Sequence, residues 1–427
     1  ETWLPALVKG DDIFGGSVDN QMYALLTSED QRVISPVNRL LDHPELDKEL
    51  SVKAWPLLAK IGDVPSRTRV FEKAVNDGNE ALLRALNSAP DVYNAVPENA
   101  QLLEKLFIHE KTSLRMEGLR LAARWKTSQY AGLLSKNMAS ASDINEKLQG
   151  YRTLFALGET DAVLDAARNS TNQETRTTAS VVWIESDVNA AADNAVTLLT
   201  NLDDPQLATR IFSTFCRMEA GPGILLKVLE GKTLNENIAS AGLTVIQTSS
   251  LNLAELEKTL RKVGNIKSVG IEMTREEKDQ LIKDAIESGN SYRGRQIYRR
   301  TDLLCQTCHQ TEGEGGFSGP DLSTVGTFLE PGSILESILN PSSEIKQNYE
   351  TVLLTRKNGE LISGLLHRKT SNSTLIRLSN SDIVEIPAEE IEKVDVSPMS
   401  LMPPGLTSRL HRDELRDLLA YLMSLGK

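Results

Sequence analysis

Apolar residues recur at helical spacing from about Val18 to Gly264, in short amphipathic segments broken by Pro, Gly, Asn and Asp. That pattern predicts a succession of helices, each with one buried stripe. Stacking the segments reveals a repeat. Thr112-Ser113-Leu114, Asp143-Ile144-Asn145, Gln173-Glu174-Thr175, Asp204-Pro205-Gln206 and Asn235-Glu236-Asn237 each open a helix. The steps from 112 to 143, 174, 204 and 235 are 31, 31, 30 and 31 residues. Small and apolar residues follow each opening, such as Leu119, Ala122 and Trp125, or Ala179, Val182 and Trp183. A second helix closes each unit, as at 191–199 and 224–229. Two helices in about 31 residues cannot bury their apolar faces alone, so neighbours are expected to stack. Residues 18–100 follow the same pattern with a less regular period. Residues 1–17 show none and read as an arm or linker, whereas 265–288 read as a charged connecting helix. Its run Glu276-Glu277-Lys278-Asp279 fits a solvated face.

Beyond residue 349 the period changes. Apolar runs at 351–355 and 361–366 flank Asn358-Gly359, a strong hairpin turn signal. Further short strands are predicted at 373–378, 383–386 and 393–396, divided by Asn380-Ser381-Asp382 and Pro387. The result is a small antiparallel β insertion at about 349–397, set between helical segments. Gly294-Arg295-Gln296-Ile297-Tyr298 opens this last region, Pro331 starts a helix over 333–339, and Leu415, Leu418, Leu419 and Leu422 stripe a final helix beginning near His411. The expected fold is mainly α: a helical repeat domain over 18–264, a connection over 265–288, and a helical domain over 289–427 carrying the β insertion.

Composition narrows the function classes. A chain of 427 residues with 40% hydrophobic and 25% charged positions is ordinary globular protein. No apolar run reaches the length of a membrane span. The net charge of −12 argues against nucleic acid, which demands clustered Lys and Arg. Residues 289–427 contribute 15 basic and 18 acidic side chains, or −3, so −9 lies in the remainder, spread thinly enough to read as a solvated surface. Of three cysteines, Cys216 sits in an apolar helical stretch as a core thiol.

The other two define the chemistry. Cys305-Gln306-Thr307-Cys308-His309 is the attachment signature of c-type haem. Both thiols reach the vinyl groups on one porphyrin edge, and the adjacent imidazole ligates iron from the proximal side. Zinc would want a fourth ligand from a second Cys or His pair, and Cys216 stands alone. A thioredoxin-like motif would want a preceding strand, and the preceding residues read as helix. Covalent haem implies an extracytoplasmic location. No basic-then-apolar leader opens the chain, so a signal already removed, or a longer secreted protein, is expected. For the sixth ligand, Met402 in Ser400-Leu401-Met402-Pro403-Pro404-Gly405 is expected, because two prolines make a rigid loop. Met399 is the next candidate, and His367 and His411 remain open.

These residues carry two resemblances beyond the short HEAT-like class of α-solenoid that the helical period resembles. Gly294 and Tyr298 facing the Leu415–Leu422 stripe with Tyr421 are similar to the crossing first and last helices of class I cytochromes c. The position of Met402 just before the last helix is that of their distal methionine. The glycine-rich Gly315-Gly316-Phe317-Ser318-Gly319-Pro320-Asp321-Leu322 implies, by the same resemblance, that the Pro320 carbonyl orients the His309 ring. With its β insertion, the region resembles the haem-binding domain family of planctomycete and verrucomicrobial proteins. That likeness covers about 140 residues, from Gly294 through Gly319-Pro320-Asp321-Leu322 and Asn340-Pro341 to Met402 and Asp417-Leu418-Leu419-Ala420-Tyr421-Leu422.

The resemblance implies a periplasmic mono-haem cytochrome that passes single electrons, with Cys305, Cys308, His309, Pro320 and Met402 around one covalent haem c. It also implies a redox partner protein, a dehydrogenase or respiratory carrier, docked by the repeats. Members with an upstream β-propeller dehydrogenase-like domain exist, but none is present here, so that activity does not carry over. Two other classes stay open. A peroxidase-like enzyme would need a distal acid–base pair, which the sequence does not supply, and a redox sensor would use the repeats as its output.

Overall fold

The computed structural model describes all residues except 1, 2, 10, 12, 13, 92, 93, 250 and 267–272, with backbone alone at 408 and 409. Parts of the expected arm and of the expected connection therefore lie outside the described residues. The chain is mainly helical with a small antiparallel sheet. It divides into two compact units, 1–182 and 183–427. The division falls inside helix Gln173–Ser186, not near residue 264 or 289. Among the described residues, no helix is long and apolar enough to cross a membrane.

In the first unit the helix openings follow the capping residues. Asp143 accepts the amide of Glu146 and opens Ile144–Ala156, and Asp63 accepts the amide of Ser66 and opens Val64–Asn76. Such caps stabilise a helix by about 1 kcal/mol each. Helix Thr112–Arg124 packs on Ile144–Ala156, and Glu80–Asn87 packs on Thr112–Arg124. Polar contacts keep the sequence period. The Arg115 guanidinium donates to both carboxylate oxygens of Glu146 at 2.6 Å, 31 residues on. Lys60 donates to Glu29 and Arg69 to Asn38 at the same separation, and Asn99 donates to the Thr68 carbonyl, again 31 residues away. The irregular stretch 18–100 thus shares the period in space. The expected arm differs: residues 4–9 form helix Leu4–Lys9, with Leu4 and Leu7 buried. Six residues are too short to display a period in sequence.

In the second unit, Val188–Leu199 packs on Gly221–Leu229, and Pro205–Cys216 packs on Glu236–Thr248. Cys216 is buried, and burial pushes its thiol up to about 12. The charged helix Arg275–Ser288, expected as a connection, belongs to a core instead. It opens with a capping box of Thr274 and Glu277, and its Leu281 and Ala285 are buried with Ile297, Leu335, Leu418 and Leu419. Two apolar positions among so many charges were enough.

Helix Ser291–Tyr298 crosses the last helix, Arg412–Ser424, at Gly294. A Cβ on Gly294 would lie 2.0 Å from the Asp417 carbonyl oxygen and 2.7 Å from the Tyr421 Cβ. The crossing therefore needs glycine there. Beside it, Tyr298 and Tyr421 rings stand 5.6 Å apart, and buried Asp417 accepts from Arg293 and Arg416.

Two short strands, β1 (Gln310–Thr311) and β2 (Glu314–Gly315), pair antiparallel. The insertion is a five-stranded antiparallel sheet of β3 (Thr351–Arg356), β4 (Leu361–Lys369), β5 (Ser373–Arg377), β6 (Ile383–Pro387) and β7 (Ile391–Val396), ordered β6-β5-β4-β3-β7. Val352, Leu354, Ile376 and Ile386 form its small core. The β3–β4 turn uses Gly359 at φ 80, and that turn is tied to the helical turn after Pro205–Cys216. The Glu219 amide donates to the Gly359 carbonyl at 2.9 Å, the Leu361 amide to the Arg217 carbonyl at 2.6 Å, and Lys393 pairs with Glu219 at 2.5 Å.

Candidate functional site

Helix Cys305–Cys308 is a single turn. It starts after Leu304, held in the left-handed region at φ 59, and the His309 amide closes it on the Cys305 carbonyl at 2.9 Å. One turn of backbone thus presents both thiols and the imidazole. The following loop is bonded back onto it: Gly316 N–H to the Gln306 carbonyl at 3.0 Å, Gly319 N–H to Cys308 at 2.8 Å, and Leu322 N–H to Gln310 at 2.8 Å.

His309 Nδ1 lies 2.8 Å from the Pro320 carbonyl oxygen. A carbonyl only accepts, so Nδ1 carries the proton and Nε2 keeps its lone pair. Burial holds the ring below the usual imidazole range, opposed by the Pro320 bond. Gly319 packs on the ring: a Cβ there would stand 2.6 Å from Cε1, 2.7 Å from Nδ1 and 3.0 Å from Nε2. The Tyr298 hydroxyl donates to the His309 carbonyl at 2.9 Å, and burial pushes that phenol up.

These groups line a cavity of about 230 Å³. Cys305, Cys308, His309, Pro320 and Met402 all contribute to its wall, with Leu303, Ile334, Ile338, Leu401, Leu418 and Leu422 among its apolar members. Met399 is not part of that wall, and neither are His367, whose Nδ1 accepts from the Arg377 guanidinium on the sheet, and His411, which caps the last helix. The Met402 loop is pinned by Ser400 N–H to Ser342 Oγ and Met402 N–H to Ser400 Oγ, both at 3.1 Å.

The two thiols face separate backbone carbonyls. Cys305 faces the Leu303 carbonyl at 3.6 Å and Cys308 the Ser379 carbonyl at 3.5 Å. Burial pushes Cys305 up to about 11, whereas a nucleophilic Cys-X-X-Cys wants a lowered value. A self-sufficient ion site is also missing, since among the described residues no three His, Cys, Asp or Glu side chains converge. The wall is mostly apolar and brings two thiols, one imidazole and one thioether to the same cavity.

Several contributors were not singled out in the sequence. Tyr298 reads there as the aromatic of the helix crossing, with no sign that its hydroxyl holds the His309 carbonyl. Gly319 reads as loop, although its place just before Pro320 is a cue to close packing. The β5–β6 turn, which meets Cys308 and Ser318, carries no local signal of that contact. The chain matches no protein-family model and no curated protein. The likeness to the haem-binding family therefore rests on the motif residues themselves.

Proposed function

We propose that this chain is a mono-haem c-type cytochrome that transfers single electrons. One observation supports the reading above the rest: both thiols of Cys305-X-X-Cys308, the free Nε2 side of His309 and the Met402 loop border one largely apolar cavity. Haem c, once attached, supplies a one-electron couple at iron. Cys305 and Cys308 would tether it, and His309 and Met402 would hold its iron. The protein's part is to hold these groups still. Pro320 fixes the imidazole tautomer and rotation and raises its basicity, Gly319 admits the ring, and Tyr298 steadies the His309 backbone. With a thioether in place of a second imidazole as iron ligand, the ferrous state would be favoured.

The helical segments of the first unit would be stacked HEAT-like repeats, a reading supported by hydrogen bonds that recur there at 31 residues. Such repeats present an extended surface, on which a dehydrogenase or respiratory carrier would dock. The domain over 289–427 is of the class I cytochrome c kind, supported by the helix crossing at Gly294. Covalent attachment implies a periplasmic or other extracytoplasmic setting.

The test is the absorption spectrum of oxidised and reduced protein, produced in a host that attaches haem. The wild type should show the long-wavelength ferric band of iron–thioether ligation and no response to carbon monoxide. Met402→Ala should lose the band and bind carbon monoxide, whereas Met399→Ala should keep it. A wild type that is high-spin and binds carbon monoxide would turn the reading towards an oxygen- or peroxide-reactive enzyme.

A further inference from the structure

We propose that the β5–β6 turn is a positioning element for the Cys308 side of the prosthetic group, held in place by Ser318 and Ser381. The inference rests on the haem reading above. Three contacts carry it, none of them local in sequence. The Ser318 hydroxyl donates to the Ser379 carbonyl at 2.8 Å, across 61 residues. The Phe317 amide donates to Ser381 Oγ at 3.0 Å, across 64 residues. The Cys308 Sγ faces that same Ser379 carbonyl at 3.5 Å, across 71 residues.

The turn is built to stay put. Its Leu378 amide donates to the Asp382 carbonyl at 2.8 Å, and Ser381 sits in the left-handed region at φ 70 with its amide on the Leu378 carbonyl at 2.9 Å. Ser318, which aims the Ser379 carbonyl, is 4% exposed. The neighbouring β3–β4 turn, at the same end of the sheet, is tied to the helical turn at 217–219. A thiol can donate to the Ser379 oxygen, but a thioether cannot. After attachment, Ser318 is left as the side chain that keeps the carbonyl beside the Cys308 sulfur. The turn then fills the space from which water and small redox reagents would reach that edge. Ser318 and Ser381 are positioning residues: they act through the turn.

The experiment uses the full chain with haem attached. Reduced wild type, Ser318→Ala/Ser381→Ala, Ser379→Ala, and Ser318 paired with Ser381→Asn are oxidised by ferricyanide in a stopped-flow instrument at high salt. The double alanine variant should react at least about threefold faster, because solvent exposure of the edge rises, with its iron–thioether band unchanged. Ser379→Ala, which keeps the carbonyl, should match wild type. Ser381→Asn retains an acceptor and tolerates left-handed backbone, so it should match wild type too. If the double variant does not fold, Ser318→Ala alone should still react faster than wild type, and an unchanged rate there overturns the inference. An unchanged rate in the double variant, or an equal acceleration in Ser379→Ala, would overturn the inference. A pyridine spectrum without covalent haem would overturn the haem reading itself, and this inference with it, so the two failures are told apart.

Discussion

Replacing Gly319 by alanine attacks the seat of the His309 ring. Gly319 has no left-handed φ, so alanine fits its backbone and the effect comes from contact alone. The new Cβ would stand 2.6 Å from Cε1 and 2.7 Å from Nδ1. Non-bonded atoms prefer about 3.5–4.0 Å, so ring and loop must separate by about 1 Å. That shift stretches the 2.8 Å bond from Nδ1 to the Pro320 carbonyl beyond hydrogen-bonding range. Overpacking costs about 1–3 kcal/mol and the lost bond about 1 kcal/mol, which together give about 2–4 kcal/mol. In a unit of this size the melting temperature should fall by about 5–10 °C. The assay is urea unfolding at constant m-value, read by the near-ultraviolet signal, with the absorption spectrum recorded alongside. If the variant matches wild type within about 0.5 kcal/mol and its spectrum is unchanged, the proposed packing of Gly319 on the ring is refuted.

The helix crossing gives a second prediction. Gly294→Ala should destabilise by about 2 kcal/mol or more despite alanine's advantage of about 1 kcal/mol in a helix, because its Cβ meets backbone at Asp417. A neutral or stabilising result in urea would place the crossing elsewhere. Acid gives a third. The Lys278 ammonium holds the Glu336 carboxyl below the usual range, and the Arg293 guanidinium does the same for Asp413. A carboxyl depressed in the folded state contributes stability above its unfolded pKa of about 4, and that contribution disappears as pH falls through the folded value. Melting temperature should therefore drop below about pH 4, and Lys278→Met/Arg293→Met should flatten the drop. An unchanged profile in the variant would assign the acid sensitivity to other groups.

Local chemistry was legible from residues alone. Asp143, Asp204 and Asn235 announce helix starts because each can accept an orphan amide, and each does so. The strands showed through short apolar runs and through Asn358-Gly359, whose glycine takes the positive φ that the turn needs. What stayed hidden was set by distant packing. Leu281 and Ala285 are two positions on a charged helix, and only the surrounding core shows that they are buried. Asn380-Ser381-Asp382 reads as a turn between strands, and nothing within ten residues of it points to Cys308 or Phe317. The break between the two units at 182 and 183 falls inside a helix, where no Gly or Pro marks it. Within the candidate site, the spacing of Cys305, Cys308 and His309 was plain, while the roles of Tyr298 and Gly319 emerged only with the ring in place.

The central claim is that one haem is bonded to Cys305 and Cys308. It is tested most directly by the intact mass of the denatured protein, purified after expression with a haem-attachment system. The account predicts a chain heavier by one haem, with an alkaline pyridine spectrum of the doubly thioether-linked kind, and loss of both in Cys305→Ala/Cys308→Ala. A wild-type mass equal to the bare chain, with both thiols free to alkylation, would contradict it.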